Sequence, residues 1–302
     1  MPFKNQTIVL AGDVVRCNGR KVRLWKHREI GGRIKSGNFA QDARGRWYCN
    51  LVCEIEIRSH GKNEAVGIDL GLKEGMTLST GKKVENSRAF AKYEDELAKA
   101  QRANKARRVQ AIHAKIANTR KDFLHKKTTK IADAFGLICV GDVSGRWLQA
   151  TNGKSAADAS TGMSRNMLRY KAIARGATFV DVSEQLSTQI CSDCGVVGGP
   201  KGIAGLEIRG WECDACGSVH DRDVNAARNI LRLGCQTLAE GKLHPKREAL
   251  GCERTSRCHD TARKERAHCY SSIRYRRHRI SVACWLCPTA NGVGHPARHC
   301  IN

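Results

Sequence analysis

Long apolar runs are missing from this chain of 302 residues. Nowhere do about 18 consecutive apolar residues occur, which excludes a conventional membrane-spanning helix. The opening MPFKNQTIVL lacks the basic stretch and following apolar stretch of a secretory leader, so the expectation is a soluble, intracellular protein. No internal repeat is visible, which excludes a solenoid or repeat array. Acidic residues are scarce as well: 29 Asp and Glu stand against 53 Lys and Arg, a formal charge of +24. Such a surface attracts polyanions, and nucleic acid is the default partner over mere solubility charge or a ribosome-like structural role.

What is abundant is cysteine, with 15 residues. Several are paired as CxxC in a long, basic, leaderless chain, so metal ligation is the better reading than disulfides. Cys191-Ser-Asp-Cys194 and Cys213-Asp-Ala-Cys216 leave residues 195–212 between them, the spacing of a zinc ribbon. Each knuckle brings two thiolates together from a tight turn, and Gly195 and Gly217 suit such turns. A four-thiolate site is closed, hence structural. The tail also holds Cys284-Trp-Leu-Cys287 with Cys252, Cys258, Cys269 and Cys300 around it. Their spacings fit no regular metal pattern.

Alternation of apolar and polar residues in KVRLW (21–25) and WYCNLVCEIEI (47–57) places Trp47, Cys49, Leu51, Cys53, Ile55 and Ile57 on one face, predicting a small antiparallel β module. AVGIDLGLKEGMTLSTGKKVEN (65–86) reads as an apolar strand, a turn and a hairpin around Thr80 and Gly81. Asp69 lies inside that first strand, where a lone acid is costly unless paired or metal-bound. From about Ser87 to Phe135 the pattern is helical, with Leu97, Val109, Ile112, Ile116, Phe123 and Ile131 on one side. The other side carries Lys99, Arg102, Lys105, Arg107, Arg108, Lys115, Arg120, Lys121, Lys126, Lys127 and Lys130, with Asp122 almost alone against them. A charge run is usually a solvated face, but one so one-signed predicts contact with phosphates. A strand at LICVGDVSG (137–145), a helix near 164–175 ended by Gly176 and a strand at 177–185 complete an α/β pattern.

After the second knuckle comes HDRDVNAARNIL (220–231). Asp221 reads as an N-cap, whereas Asp223, one step inside the helix, has no capping role to explain it. At this point the residues resemble a family: Asp69 in GIDLG, the cationic helix, the paired knuckles and DRDVNAARNIL are similar to the OrfB/TnpB proteins of insertion sequences, relatives of the type V CRISPR effectors. The resemblance runs from about residue 20 to 233. It implies an RNase H-like (RuvC) nuclease fold with an inserted zinc ribbon, preceded by a partial wedge-like β-barrel.

The domain boundaries so implied are a β module at 1–63, the first part of the nuclease at 64–190, a ribbon at 191–217, a final nuclease helix at 218–233 and an irregular Arg/Cys/His-rich tail at 234–302. Structural Zn²⁺, catalytic Mg²⁺, DNA, a guide RNA from the transposon end and a cytoplasmic, nucleoid-associated location follow from the same resemblance. So does RNA-guided cleavage of DNA, in which carboxylates hold two Mg²⁺ ions that activate water and steady the leaving oxygen.

Carried over by position, the first carboxylate is Asp69 and the third is Asp223. The middle one is usually a glutamate closing the strand after the long helix, but Gly141 stands there. Asp142 is one residue along and alternation turns it to the opposite face. Glu184, at the end of the neighbouring strand, is the expected replacement. Family members normally begin with a further wedge strand and a helical recognition region, so an N-terminally truncated copy is expected. A nuclease-dead DNA- or RNA-binding protein and a nonfunctional remnant stay open as alternatives.

Overall fold

The computed structural model describes residues 2–4, 8–142 and 160–241, apart from positions 18, 27–28, 43, 58–59, 202–204 and 206, together with the strand 278–286. The chain divides into two units, 1–56 with 276–302, and 57–275.

The first unit is a sheet of seven strands: β1 (Pro2–Lys4), β2 (Ile8–Ala11), β3 (Val14–Cys17), β4 (Arg20–Trp25), β5 (Arg33–Gln41), β6 (Trp47–Ile55) and, from far along the chain, β14 (His278–Leu286). Their order is β1-β5-β6-β14-β4-β3-β2, every pairing antiparallel. The alternation read in 47–57 is visible in burial: Cys49, Leu51 and Cys53 form the core with Val15 and Leu24, while Trp47 at the strand's start is exposed. A strand buries every second residue, so one packed face is what this pattern can sustain. The tail was expected to hold no regular element, yet 278–286 is a strand: its backbone pairs with β6 along Ile55 to Tyr48. The rest of the tail, with Cys252, Cys258, Cys269, Cys287 and Cys300, lies outside the described residues.

The second unit carries β7 (Ala65–Asp69), β8 (Glu74–Leu78), β9 (Lys83–Glu85), α1 (Ala89–Arg102), α2 (Ala106–Ala134), β10 (Leu137–Gly141), α3 (Thr161–Ala174), β11 (Thr178–Val182), β12 (Gly210–Glu212), β13 (Val219–Asp221) and α4 (Arg222–Ala239). Five of the strands form one sheet in the order β11-β10-β7-β8-β9. β11, β10 and β7 are parallel; β8 and β9 return antiparallel through the hairpin at Gly81. One face packs Val66, Ile68, Ile138 and Val140 against Leu124 and Ile131 of α2 and Met167 and Leu168 of α3. The other packs Cys139, Val180 and Val182 against Ile230 of α4. Parallel strands covered on both faces need continuous apolar runs, which LICV and AVGI supply.

Two expectations are revised. The long helix is broken at Ala103–Lys105, where Asn104 takes φ 52, a left-handed conformation that asparagine tolerates better than most residues. The break folds α1 back on α2, and Leu97 and Ala100 bury against Ile112 and Ile116. The last helix runs to Ala239, so the boundary expected at 233 falls inside it.

α4 approaches the sheet closely because Gly67 and Gly234 have no side chain. A Cβ on Gly67 would run into the Ala227 carbonyl, and one on Gly234 into the Cys139 thiol. Asn225 and Asn229, one turn apart and both buried, tie the same helix to the loop before the first knuckle. Asn225 Nδ2 donates to the Ile190 carbonyl at 2.8 Å and its Oδ1 accepts from Ser192 N at 2.8 Å; Asn229 Nδ2 donates to the Ser187 and Ile190 carbonyls at 2.9 and 2.7 Å. Buried amides of this kind are stable only when so satisfied.

Candidate functional site

The four thiols of Cys191, Cys194, Cys213 and Cys216 lie within 4.8 Å of one another. Two of their edges measure 3.7 Å (Cys191 to Cys216) and 3.6 Å (Cys194 to Cys213). A tetrahedron with metal–sulfur bonds of about 2.3 Å has edges of about 3.8 Å, so the donor set fits a zinc-sized ion. Gly195 and Gly217 take φ +81 and +71, the left-handed turn that closes each knuckle. Cys191 and Cys213 are buried; Cys194 and Cys216 face solvent.

Sequence reasoning had passed over His220. It is buried, stacks on Trp211 with ring centroids 4.8 Å apart, and sets Nε2 3.0 Å from Cys191 Sγ. A ring N–H there neutralises part of the thiolate charge and holds the ligand in place. The signal was present in the sequence, since His220 sits between the second knuckle and DRDVN, but its role depends on β13 pairing back on β12 with Trp211 opposite His220.

The carboxylates meet the sheet at one end and on one face. In the parallel register Cys139 pairs with Gly67 and Gly141 with Val182. Asp69, Gly141 and Glu184 each follow by two residues a position on the α4 side, so alternation directs all three that way. Burial, and then the neighbouring Asp223 carboxylate, push Asp69 up to about 7 against the pull of the Arg222 guanidinium. Asp223 is the second residue of α4, within reach of the helix's positive end.

Asp221 caps α4 by accepting from Asp223 N and Val224 N at 3.1 and 3.0 Å, and it also pairs with Lys83 at 2.7 Å. Burial alone would raise its pKa, but Lys83 and the capped amides hold the carboxyl below its ordinary value.

Glu184 and Gly141 interlock. A Cβ on Gly141 would overlap Oε1 and Cγ of Glu184. The carboxyl group of one strand end thus occupies the volume that a side chain on its neighbour would need. Asp142 is exposed, and its carboxylate lies 3.4 Å from Glu184 N.

The three carboxylates nevertheless do not converge as the thiols do. Among the described residues, the four cysteines make up a tight metal-sized group and Asp69, Glu184 and Asp223 do not. Asp223 is held by Arg209, a residue that sequence reasoning missed: Nη1 donates to Oδ1 at 3.2 Å and to Oδ2 at 2.9 Å. Carboxylate oxygens are the donors that a hard cation such as Mg²⁺ takes, but in this arrangement Arg209 and not a cation holds Asp223.

The helical hairpin carries all eleven singled-out cations, Lys130 among the exposed ones. Lys99, Arg102, Lys105, Arg107, Arg108, Lys115, Lys121 and Lys126 are exposed, and Arg120 and Lys127 are half-buried. The fold-back at Asn104 brings an unforeseen acid to them: Glu96 pairs with Arg108 at 2.8 Å and lies 3.9 Å from Lys115. Lys126 pairs with Asp122 at 2.8 Å. The remaining excess is strongly positive. No helix among the described residues is long and apolar enough to cross a membrane.

A mixed α/β unit with a four-thiol cluster placed before its last helix is therefore the class that fold and site define. The chain matches the family described as "Probable transposase" (OrfB_IS605) over residues 50–146 and the family described as "Cas12f1-like, TNB domain" over 162–230. It is 40% identical over 235 residues to a "Putative RNA-guided DNA endonuclease" of Streptomyces pristinaespiralis, covering 72% of this chain and 57% of that one. It is 29% identical over 253 residues to a protein of the same description, InsQ, of Escherichia coli K12, covering 74% and 62%. A solved Cas12f1–sgRNA–target DNA complex aligns with a TM-score of 0.45 at 14% identity, over 65% of this chain and 55% of that one. Over these stretches the chain is similar to the OrfB/TnpB proteins of insertion sequences. It spans little more than half the length of these relatives.

Proposed function

We propose that this chain is the nuclease-bearing part of a transposon-encoded, RNA-guided DNA endonuclease acting in the cytoplasm at the nucleoid. The fold reading is RNase H-like, supported by a five-stranded sheet with three parallel strands on one side, an antiparallel hairpin on the other and a closing helix that carries an acid in its first turn. Cys191, Cys194, Cys213 and Cys216 hold a structural Zn²⁺. Asp69, Glu184 and Asp223 are the carboxylates for Mg²⁺, and the hairpin cations bind the phosphates of DNA and guide RNA.

One observation carries this reading: the Glu184 carboxyl group fills the space above Gly141. A nuclease that had simply lost its middle acid would leave that slot to solvent or to an apolar side chain. Here a carboxylate occupies it from two residues beyond the end of the neighbouring strand.

The test is target-DNA cleavage by the zinc-loaded full chain with transposon-end RNA and Mg²⁺. Glu184→Gln is expected to lower the rate on the order of a hundredfold or more, as loss of a group acting in the transition state does. Gly141→Glu placed in a Glu184→Ala background is expected to restore part of it, since the carboxyl group returns to the same volume. A Glu184→Gln protein that cuts like the wild type would remove Glu184 from the site.

A further inference from the structure

The group that stands between Asp223 and a divalent cation is a single side chain. Both oxygens of Asp223 are engaged by one guanidinium nitrogen of Arg209. Any cation shared by Asp69 and Asp223 must compete for those same oxygens. Asp69 itself has no ion pair among the described residues, and Arg222, its nearest named cation, directs Nη1 to the Gly205 carbonyl at 2.9 Å. Asp223 therefore has its tight counter-ion in Arg209, which comes from the ribbon, while Arg222 is the cation that acts on Asp69.

Arg209 is placed to let go. Its side chain is 43% exposed while that of Asp223 is 15% exposed, so the guanidinium can rotate into water whereas the carboxylate cannot. Its backbone stays anchored meanwhile, because the Arg209 carbonyl accepts from Arg222 N at 2.7 Å at the start of α4. A half-exposed ion pair is weak. A divalent cation seated between two carboxylates gains more than one guanidinium does, because it carries twice the charge and contacts both.

We propose that Arg209 is a counter-ion latch: it holds Asp223 in the cation-free protein and is displaced when a divalent cation binds Asp69 and Asp223. It is a positioning residue, acting through Asp223. The latch rests on the reading of Asp69 and Asp223 as cation ligands, and it adds that the ribbon segment entering β12 changes partner with cation occupancy. In the cation-free state it screens the repulsion between the two acids, and it weakens cation binding by the strength of its own pair.

The test uses Mn²⁺ as the probe, with free Mn²⁺ measured by electron paramagnetic resonance in the presence of the zinc-loaded full chain. Arg209→Gln is expected to bind Mn²⁺ about two- to fivefold more tightly than the wild type, the range set by the loss of a half-exposed competing ion pair. Arg209→Lys, which keeps the charge, is expected to stay near the wild type. One zinc per chain and an unaltered thermal melt verify that each variant is folded.

Equal or weaker Mn²⁺ binding by Arg209→Gln overturns the latch. Binding in Arg209→Gln with none in the wild type supports it. The underlying site is read separately through Asp223→Asn. If that change abolishes Mn²⁺ binding while Arg209→Gln leaves it unaltered, the latch falls alone. If Mn²⁺ binding ignores Asp223→Asn, the ligand assignment falls and the latch with it.

Discussion

The ribbon and the carboxylate edge lie next to each other along the chain yet are prepared to different degrees. Four thiols already stand at tetrahedral edge lengths, 3.6 and 3.7 Å for two of the pairs, whereas three carboxylates that share a sheet end each have another commitment. Asp223 is on Arg209, Glu184 fills the Gly141 slot, and Asp69 is pushed toward its protonated form. The difference is one of charge and assembly. The cysteines are delivered by two local knuckles, while the carboxylates come from β7, β11 and α4 and repel one another.

The largest expected effect breaks the prepared side. Cys213→Ser should abolish stoichiometric zinc and, because structural zinc contributes its binding energy to folding, lower the melting temperature by roughly 10 °C or more. Metal content and calorimetry on the same sample check it. Retained zinc with an unchanged melt would mean that the ribbon folds without its metal.

On the carboxylate side the leading effect is a pH slope. Folded Asp69 keeps its proton up to about 7, against an ordinary value of 3.8, so between those values the folded state binds more protons than the unfolded. Stability of the cation-free protein therefore falls as pH rises from about 4 through about 7. Asp69→Asn removes that slope. Its advantage over the wild type should be nil near pH 4 and on the order of 2–4 kcal/mol at pH 8. Urea unfolding at both pH values measures it, and a constant difference between the two proteins contradicts the burial assigned to Asp69.

The Gly141–Glu184 interlock is smaller and has its own signature. Gly141→Ala should cost about 1–3 kcal/mol through overpacking. In a Glu184→Ala background the same change should be close to neutral, giving a coupling of about 1 kcal/mol or more in a double-mutant cycle. Additive effects would mean that the two positions do not meet.

Last and smallest is His220, which supports the ribbon's Cys191. His220→Ala should leave zinc bound but released roughly 10- to 100-fold more readily to a competing chelator. A chelator titration reads this directly, and no change would reduce the His220 contact to packing against Trp211.

Much of the ribbon was legible before any coordinates, because CxxC spacing and the following glycines are local properties of a few residues. The strand character of LICVG and AVGID was equally local, as was Asp221 in its capping position. Arg209 was not legible: it lies 14 residues before Asp223, with no periodicity or motif marking it among 53 basic residues. The Glu96 pairing with Arg108 was hidden for a related reason, since a helix read as continuous from Ser87 to Phe135 could not place an acid of α1 against α2. One left-handed asparagine decided that, and propensity alone does not choose among polar residues where a helix will turn.

By itself, then, the sequence determined which groups are available: four thiols in two knuckles, isolated acids at strand and helix ends, a cationic helical stretch and a glycine where an acid was expected. Only the tertiary structure decided which of them meet. Parallel register set Glu184 into the space above Gly141, and the ribbon's return to α4 set Arg209 on Asp223. Spacing along a chain controls contacts within a turn, but contacts between strands and helices are selected by packing, where a missing Cβ or a buried charge outweighs any local preference.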